Sequence, residues 1–406
     1  MVVARKLSSG CFFSLLSVRD TSPARRKDGS RLNRPPHTYR RLVTTPTAEA
    51  PGTKTRDDYV DFLRAFSLVI VVLWHWVFTI LEVSADTVSP SNPIGYTQGM
   101  WVVTWLLQVM PIFFFVGGYT HRRAFDNYEK GRSRQFLAKR TKRLATPSLA
   151  LIAGWVAIGF IVQQALEPEW IWPAVILILS PLWFMIVYLV LVAITPLAVR
   201  AHWRWGEIVI VWLLGLAAVF DVLRFSHDQG WAAWLNFLVI WGLAHQFGFF
   251  YDRLVAAPKR VAWMFVWGGM FSLIALTNMG FYPRSVVGVP GDRFSNMGPP
   301  TLAIVALILL QVGLVLVLRD WALHRLQTSQ GWKRVFSWVN GNSMPLYLFH
   351  STGMAIVVAL AYVLFTYVPP TAPTTEWWLT RPIWLIFPLL FTYPFLLLYR
   401  KVTAAG

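Results

Sequence analysis

Charge is scarce in this chain: 14% of its 406 residues are Asp, Glu, Lys or Arg, against 56% hydrophobic. A soluble protein of this length carries about 25% charged residues, so a water-soluble globular domain is excluded. Cysteine is rarer still. Cys11 stands alone, which rules out an intrachain disulfide, a cysteine metal site and a catalytic cysteine dyad. An internal repeat of the kind that transporters use is missing, and no appended soluble domain follows the apolar region. Acidic residues number 19 against 37 Lys and Arg. The excess is local: residues 1–56 hold twelve basic residues against three acidic, and residues 121–143 hold nine against two. Cations clustered beside apolar segments follow the positive-inside rule. Their natural anionic partners are membrane lipid headgroups and phosphorylated ligands, not nucleic acid.

What is present is a series of apolar runs of the length a helix needs to cross a bilayer. Ten candidate spans fall at about 62–81, 99–119, 146–165, 176–198, 207–225, 232–251, 261–280, 299–319, 343–366 and 382–400. The expected fold is an all-α polytopic transmembrane bundle. Ten crossings put both termini on one side, and the basic loops mark that side as cytoplasmic. Many of the 22 tryptophans lie near segment ends, among them Trp101, Trp170, Trp203 and Trp377, as interfacial aromatic belts or as bundle packing. Residues 1–56, rich in Arg, Ser, Pro and Thr without apolar period, read as a disordered cytoplasmic tail, with a transit peptide as the alternative. Residues 57–406 form the membrane domain.

The first span carries two ionisable residues, Arg64 and His75. Eleven positions amount to about 20° more than three full turns, so both share one helix face, with His75 roughly 16 Å deeper. Polar groups at that depth face a cavity or the bundle interior. A neutral imidazole accepts a proton from a hydroxyl, the general-base role. Asp61, one turn earlier, is placed to orient Arg64. Alternatively, Arg64 is a snorkelling anchor and His75 a packed core histidine.

Four further stretches stand out. Pro111 and the pair Gly117-Gly118 allow a kink and close helix approach. Lys139, Arg140 and Arg143 make a cationic face that suits a phosphate-bearing ligand, or else serves as a topology anchor. The loop 289–301, with Asn296, is an outward-facing binding loop or a turn-rich connector. Ser343, Tyr347 and His350 fall at i, i+4 and i+7, giving the ninth span a polar face. The two histidines lack a nearby acidic partner and metal-site spacing, so no metal is expected.

The ordered set resembles the acyltransferase 3 family of integral membrane acyltransferases over about residues 57–400. The resemblance runs through Arg64-x10-His75, Pro111-I-F-F-F-V-Gly117-Gly118, the basic loop Lys139-Arg140-T-K-Arg143 closed by Pro147, Pro181-Leu182-Trp183-Phe184, and Ser343-x3-Tyr347-x2-His350. Ser295-Asn296-x2-Pro299-Pro300-Thr301 resembles a loop of actinobacterial members. The resemblance implies transfer of an acyl group, commonly acetyl, from cytoplasmic acyl-CoA to a hydroxyl of a cell-envelope carbohydrate or glycolipid. In that reading Arg64 and His75 are the functional pair, with His75 catalytic. Lys139, Arg140 and Arg143 bind the donor, and Ser343, Tyr347, His350 and Asn296 contact substrate. Acyl-CoA is a co-substrate and no cofactor is held permanently. The expected location is the plasma membrane. With no cysteine among the spans, transfer is direct or uses another nucleophile. The competing reading is a transporter or flippase of a glycan or lipid intermediate.

Overall fold

The computed structural model describes residues 57–83, 88–126, 133–164, 168–279, 281–289, 291–367, 370 and 372–405; the expected tail, 1–56, lies outside them. The described chain is almost entirely helical.

Helix α1 (Asp58–Phe78) starts where Asp57 accepts hydrogen bonds from the Tyr59 and Val60 amides, with Asp58 and Asp61 in the first turn. Acidic residues there oppose the positive helix terminus. A short antiparallel hairpin follows, β1 (Ile80–Val83) and β2 (Val88–Ser91), pairing Ile80 with Ser91. The expected second span is broken into α2 (Trp101–Leu107) and α3 (Met110–Asp126). Pro111 has no amide hydrogen to continue the ladder, and Gln311 closes the gap by donating to the Trp105 and Gln108 carbonyls at 3.1 and 2.8 Å. Helix α4 (Ser133–Val162) continues past Pro147, so the expected basic loop is instead the first part of a 30-residue helix. The expected fourth span is also split. Helix α5 (Pro168–Leu179) stops at Ser180-Pro181, and α6 (Leu182–Trp205) begins after it.

Helices α7 (Ile208–Ser226) and α8 (Gly230–Phe249) form an antiparallel pair. A short α9 (Tyr251–Ala256) leads to α10 (Lys259–Asn278), which packs on α11 (Leu302–Thr328). Amphipathic α12 (Gln330–Gly341) sets Phe336 against Phe62 of α1. Then come α13 (Ser343–Phe365), a short α14 (Thr375–Leu379) and α15 (Ile383–Ala405).

Among the described residues nine helical segments are long and apolar enough to cross a membrane, α2 and α3 together counting as one. Helix α8 takes the place of the expected sixth span but falls short of that apolarity. Asn236, His245, Gln246 and three tryptophans dilute it, and thirteen of its twenty residues are buried. An inner helix faces protein, so it does not need the apolar surface that lipid demands of α7 or α15. Gly118 and Gly248 let α3 and α8 touch: a Cβ on Gly118 would strike the His245 carbonyl, and one on Gly248 the Phe115 carbonyl.

The helix ends fall into two groups. At one end, Tyr59 donates to the Val315 carbonyl at 2.5 Å, Arg253 pairs with Glu207 at 2.7 Å and Lys259 with Asp320 at 3.1 Å. This basic end gathers the starts of α1, α7 and α10 with the end of α11. At the opposite end the hairpin and the 281–301 loop meet, where Asn92 donates to the Gly288 carbonyl at 2.7 Å. Asp221 of α7 ties that loop down, accepting from Asn236 and Tyr282 at 2.9 Å and from the Leu302 amide at 2.8 Å.

Candidate active site

The face shared by Arg64 and His75 looks onto α12 and α13. At the basic end, Arg64 forms an ion pair with Asp61 at 3.0 Å and donates Nε and a terminal N–H to Asn340 Oδ1 at 3.1 and 2.8 Å. Asn340 completes the loop by donating to the Asp61 carbonyl at 2.9 Å. Deeper in, His75 Nδ1 stands 3.1 Å from His350 Nε2, with ring centroids 4.9 Å apart. Trp76 Nε1 donates to the His350 carbonyl at 2.9 Å and fixes α1 against α13 at this level. Between the two polar points Ser67 and Leu68 are packed, 0% and 1% exposed.

His75 lies in the wall of a cavity of about 1090 Å³. Its sides are α1, α4, α5 and α13, through residues such as Trp74, Trp155, Val175 and Met354. The hairpin and the 287–297 loop cover it, through Leu81, Pro90, Val287 and Met297. The cavity therefore lies toward the end away from the basic surface. Its walls are mainly apolar, and His75 is the only imidazole on them among the described residues. The α5–α6 break forms part of the wall: Tyr347, also on the wall, donates its hydroxyl to the Pro181 carbonyl at 2.6 Å. Just past His75, Arg381 donates to the Val77 carbonyl at 3.4 Å and stacks on Trp377, 3.8 Å from the ring centre. Burial pushes its guanidinium down to about 10, still protonated at neutral pH.

The other expected site residues divide. His350 is fully buried behind His75 and does not reach the cavity wall. Ser343 opens α13 and is also absent from the wall. Asn296 is 0% exposed and braces its loop, donating to the Pro283 and Ser285 carbonyls at 2.7 and 2.8 Å and accepting from Thr301 at 2.9 Å. Its neighbour Met297 is the wall residue. Lys139, Arg140 and Arg143 lie on the first turns of α4 at the basic end, with Lys139 and Arg143 exposed and Arg140 half-buried. Arg140 is in electrostatic range of a second buried pair, His121 and His245, whose Nδ1 and Nε2 are 2.9 Å apart. Sequence reasoning missed this pair, and it missed Asn340, although the segment that opens with Asn340 contains Ser343, Tyr347 and His350. No group of three or more His, Cys, Asp or Glu side chains able to hold a metal ion is present among the described residues.

Residues 57–400 match the family model Acyl_transf_3, described as an acyltransferase domain. The chain belongs to the acyltransferase 3 family. The match covers every spanning helix except the last few residues of α15, and with it both the Arg64–His75 face and the cavity. No curated protein and no solved structure matches the chain. As a membrane acyltransferase, the protein must bring an acyl carbonyl within reach of a nucleophile. Among the described wall residues His75 is the one imidazole, beside the hydroxyls of Tyr347 and Ser351.

Proposed function

We propose that this membrane acyltransferase moves an acyl group, acetyl in the simplest case, from acyl-CoA at the basic end to a hydroxyl of a cell-envelope carbohydrate or glycolipid that enters the cavity. The observation that carries this reading is the position of His75. It shares a helix face with Arg64 at the basic end and opens into a cavity at the other. By the positive-inside rule the basic end, where α1 begins, is the cytoplasmic side of the plasma membrane.

Arg140, Arg143 and Lys139 hold the phosphates of the donor, since guanidinium groups bind phosphate bidentately. Arg64, held by Asp61 and Asn340, and Ser343 mark the route of the donor arm. His75 takes the proton from the acceptor hydroxyl, and the oxygen attacks the thioester carbonyl. The tetrahedral intermediate collapses to the new ester and the thiolate of CoA, and the imidazolium returns the proton to that thiolate. Tyr347, on the same wall, has a single hydroxyl proton, which the Pro181 carbonyl holds, so it steadies the oxyanion only by releasing that bond. The aromatic and aliphatic walls suit a sugar ring or the hydrocarbon of a glycolipid. No cofactor beyond the co-substrate is required by this chemistry.

The test is labelling of cell-envelope glycans from radiolabelled acetyl-CoA, comparing wild type with His75→Ala at equal membrane abundance. Label should fall to background in the variant. Equal labelling would remove His75 from the reaction.

A further inference from the structure

We infer that His350 is a positioning residue that sets the tautomer of His75 and leaves His75 Nε2 as the basic nitrogen. The inference rests on the proposed role of His75 as the base, while the tautomer itself follows from hydrogen-bond geometry alone.

His350 Nδ1 is 2.7 Å from the Tyr347 carbonyl oxygen. That oxygen only accepts, so Nδ1 of His350 carries the proton. A neutral imidazole has one N–H, and His350 Nε2 is then a bare acceptor. Its partner at 3.1 Å is His75 Nδ1. Two bare nitrogens 3.1 Å apart would repel across a contact that His350, fully buried, closes from one side, so His75 Nδ1 donates. The lone pair of His75 is thereby fixed on Nε2, the nitrogen not engaged by His350, on a ring that lines the cavity. Ser351 Oγ lies 3.3 Å from the same His350 nitrogen and is a longer, second donor to it.

The rest of α13 holds this arrangement in register. His350 is 0% exposed. Its own carbonyl is bound by Trp76 Nε1 at 2.9 Å, and its turn carries Tyr347, pinned to Pro181. The chain carbonyl–His350–His75 thus has the logic of a base oriented by a second group that never touches substrate. When His75 gains a proton, the same bond stabilises the imidazolium without moving any atom of the bundle.

The test uses the full-length protein in detergent, labelled with 15N-histidine. Two-bond 1H–15N correlation distinguishes the two neutral tautomers, and the His75 signal is assigned by its loss in His75→Ala. In wild type His75 should show a protonated Nδ1 and a bare Nε2. In His350→Phe the signal should move toward the other tautomer, and kcat should fall by about 100-fold with the KM for acyl-CoA within twofold. His350→Gln, whose side-chain carbonyl is an acceptor, should recover at least tenfold of the lost rate. A wild-type His75 with its proton on Nε2 would overturn the inference, as would an unchanged tautomer in His350→Phe. The wild-type spectrum alone separates the two tautomers even where His350→Phe does not fold. If labelling proves independent of His75 while the spectrum shows the expected tautomer, the functional reading fails and the geometric one stands.

Discussion

Asn340 and Arg64, 276 residues apart in the chain, are joined by two hydrogen bonds to one amide oxygen, at 3.1 and 2.8 Å. The amide nitrogen of Asn340 returns to the Asp61 backbone, so α12 is clasped to the first turns of α1. Asn340→Ala removes all three bonds. A net loss of about 1–3 kcal/mol follows if each is worth roughly 1 kcal/mol, discounted for the partial exposure of the site. The check is thermal unfolding in detergent, together with the KM for acyl-CoA, which should rise as Arg64 loses its fixed orientation. An unchanged KM would show that Arg64 keeps its orientation without Asn340.

The crossing of α3 and α8 has no room for a methyl group on either side. Gly118→Ala and Gly248→Ala each force the helices apart and should cost about 1–3 kcal/mol, as overpacking does in tight cores. The double variant should cost less than the sum, because one separation of the helices relieves both clashes. The yield of monodisperse protein after extraction reports this, and a wild-type yield for Gly118→Ala would contradict the close approach.

Asp221 accepts three hydrogen bonds where α7, α8, the 281–301 loop and α11 meet. Burial and the neighbouring carboxylate push the Tyr282 phenol above its ordinary range, so it remains a donor at any working pH. Asp221→Ala strands these donors and should destabilise the protein by about 3 kcal/mol. Limited proteolysis should then cut within residues 281–301, where the wild type resists.

Arg140 and Arg143, three residues apart, face different surroundings: Arg140 the buried His121–His245 pair, Arg143 the far end of α15 near Tyr399. Arg140→Ala should weaken acyl-CoA binding about tenfold, near 1.4 kcal/mol, with a reduced salt dependence. Calorimetric titration in detergent measures both. Unaltered affinity would leave Arg140 as a determinant of topology alone.

The apolar runs made the spans legible, because bilayer thickness fixes helix length whatever the packing. The i, i+3 spacing likewise made the Asp61–Arg64 pair legible. Other features depend on tertiary contact. Nothing local announces that α4 continues through Pro147, since neighbouring groups in a bundle compensate for the missing amide. The break at Ser180-Pro181 has a sequence signal in its proline, but its closure by Tyr347 does not. His121 and His245 are single histidines on separate segments, without spacing to betray a pair. Asn296 looked like a ligand-facing loop residue because its polarity is plain in sequence, while the three partners that satisfy it are not.

The packed stretch of α1 around Ser67 and Leu68 has a consequence for the cell as a whole. A catalyst with a chamber on one side and a cationic surface on the other is one gap away from being a pore. In the proposed reading, with donor and acceptor arriving from opposite ends, the buried Ser67 and Leu68 are the plug that has to hold back protons and ions. Enlarging this plug's clearance, as in Leu68→Gly, should therefore show up as proton leak in sealed vesicles before it shows up in product.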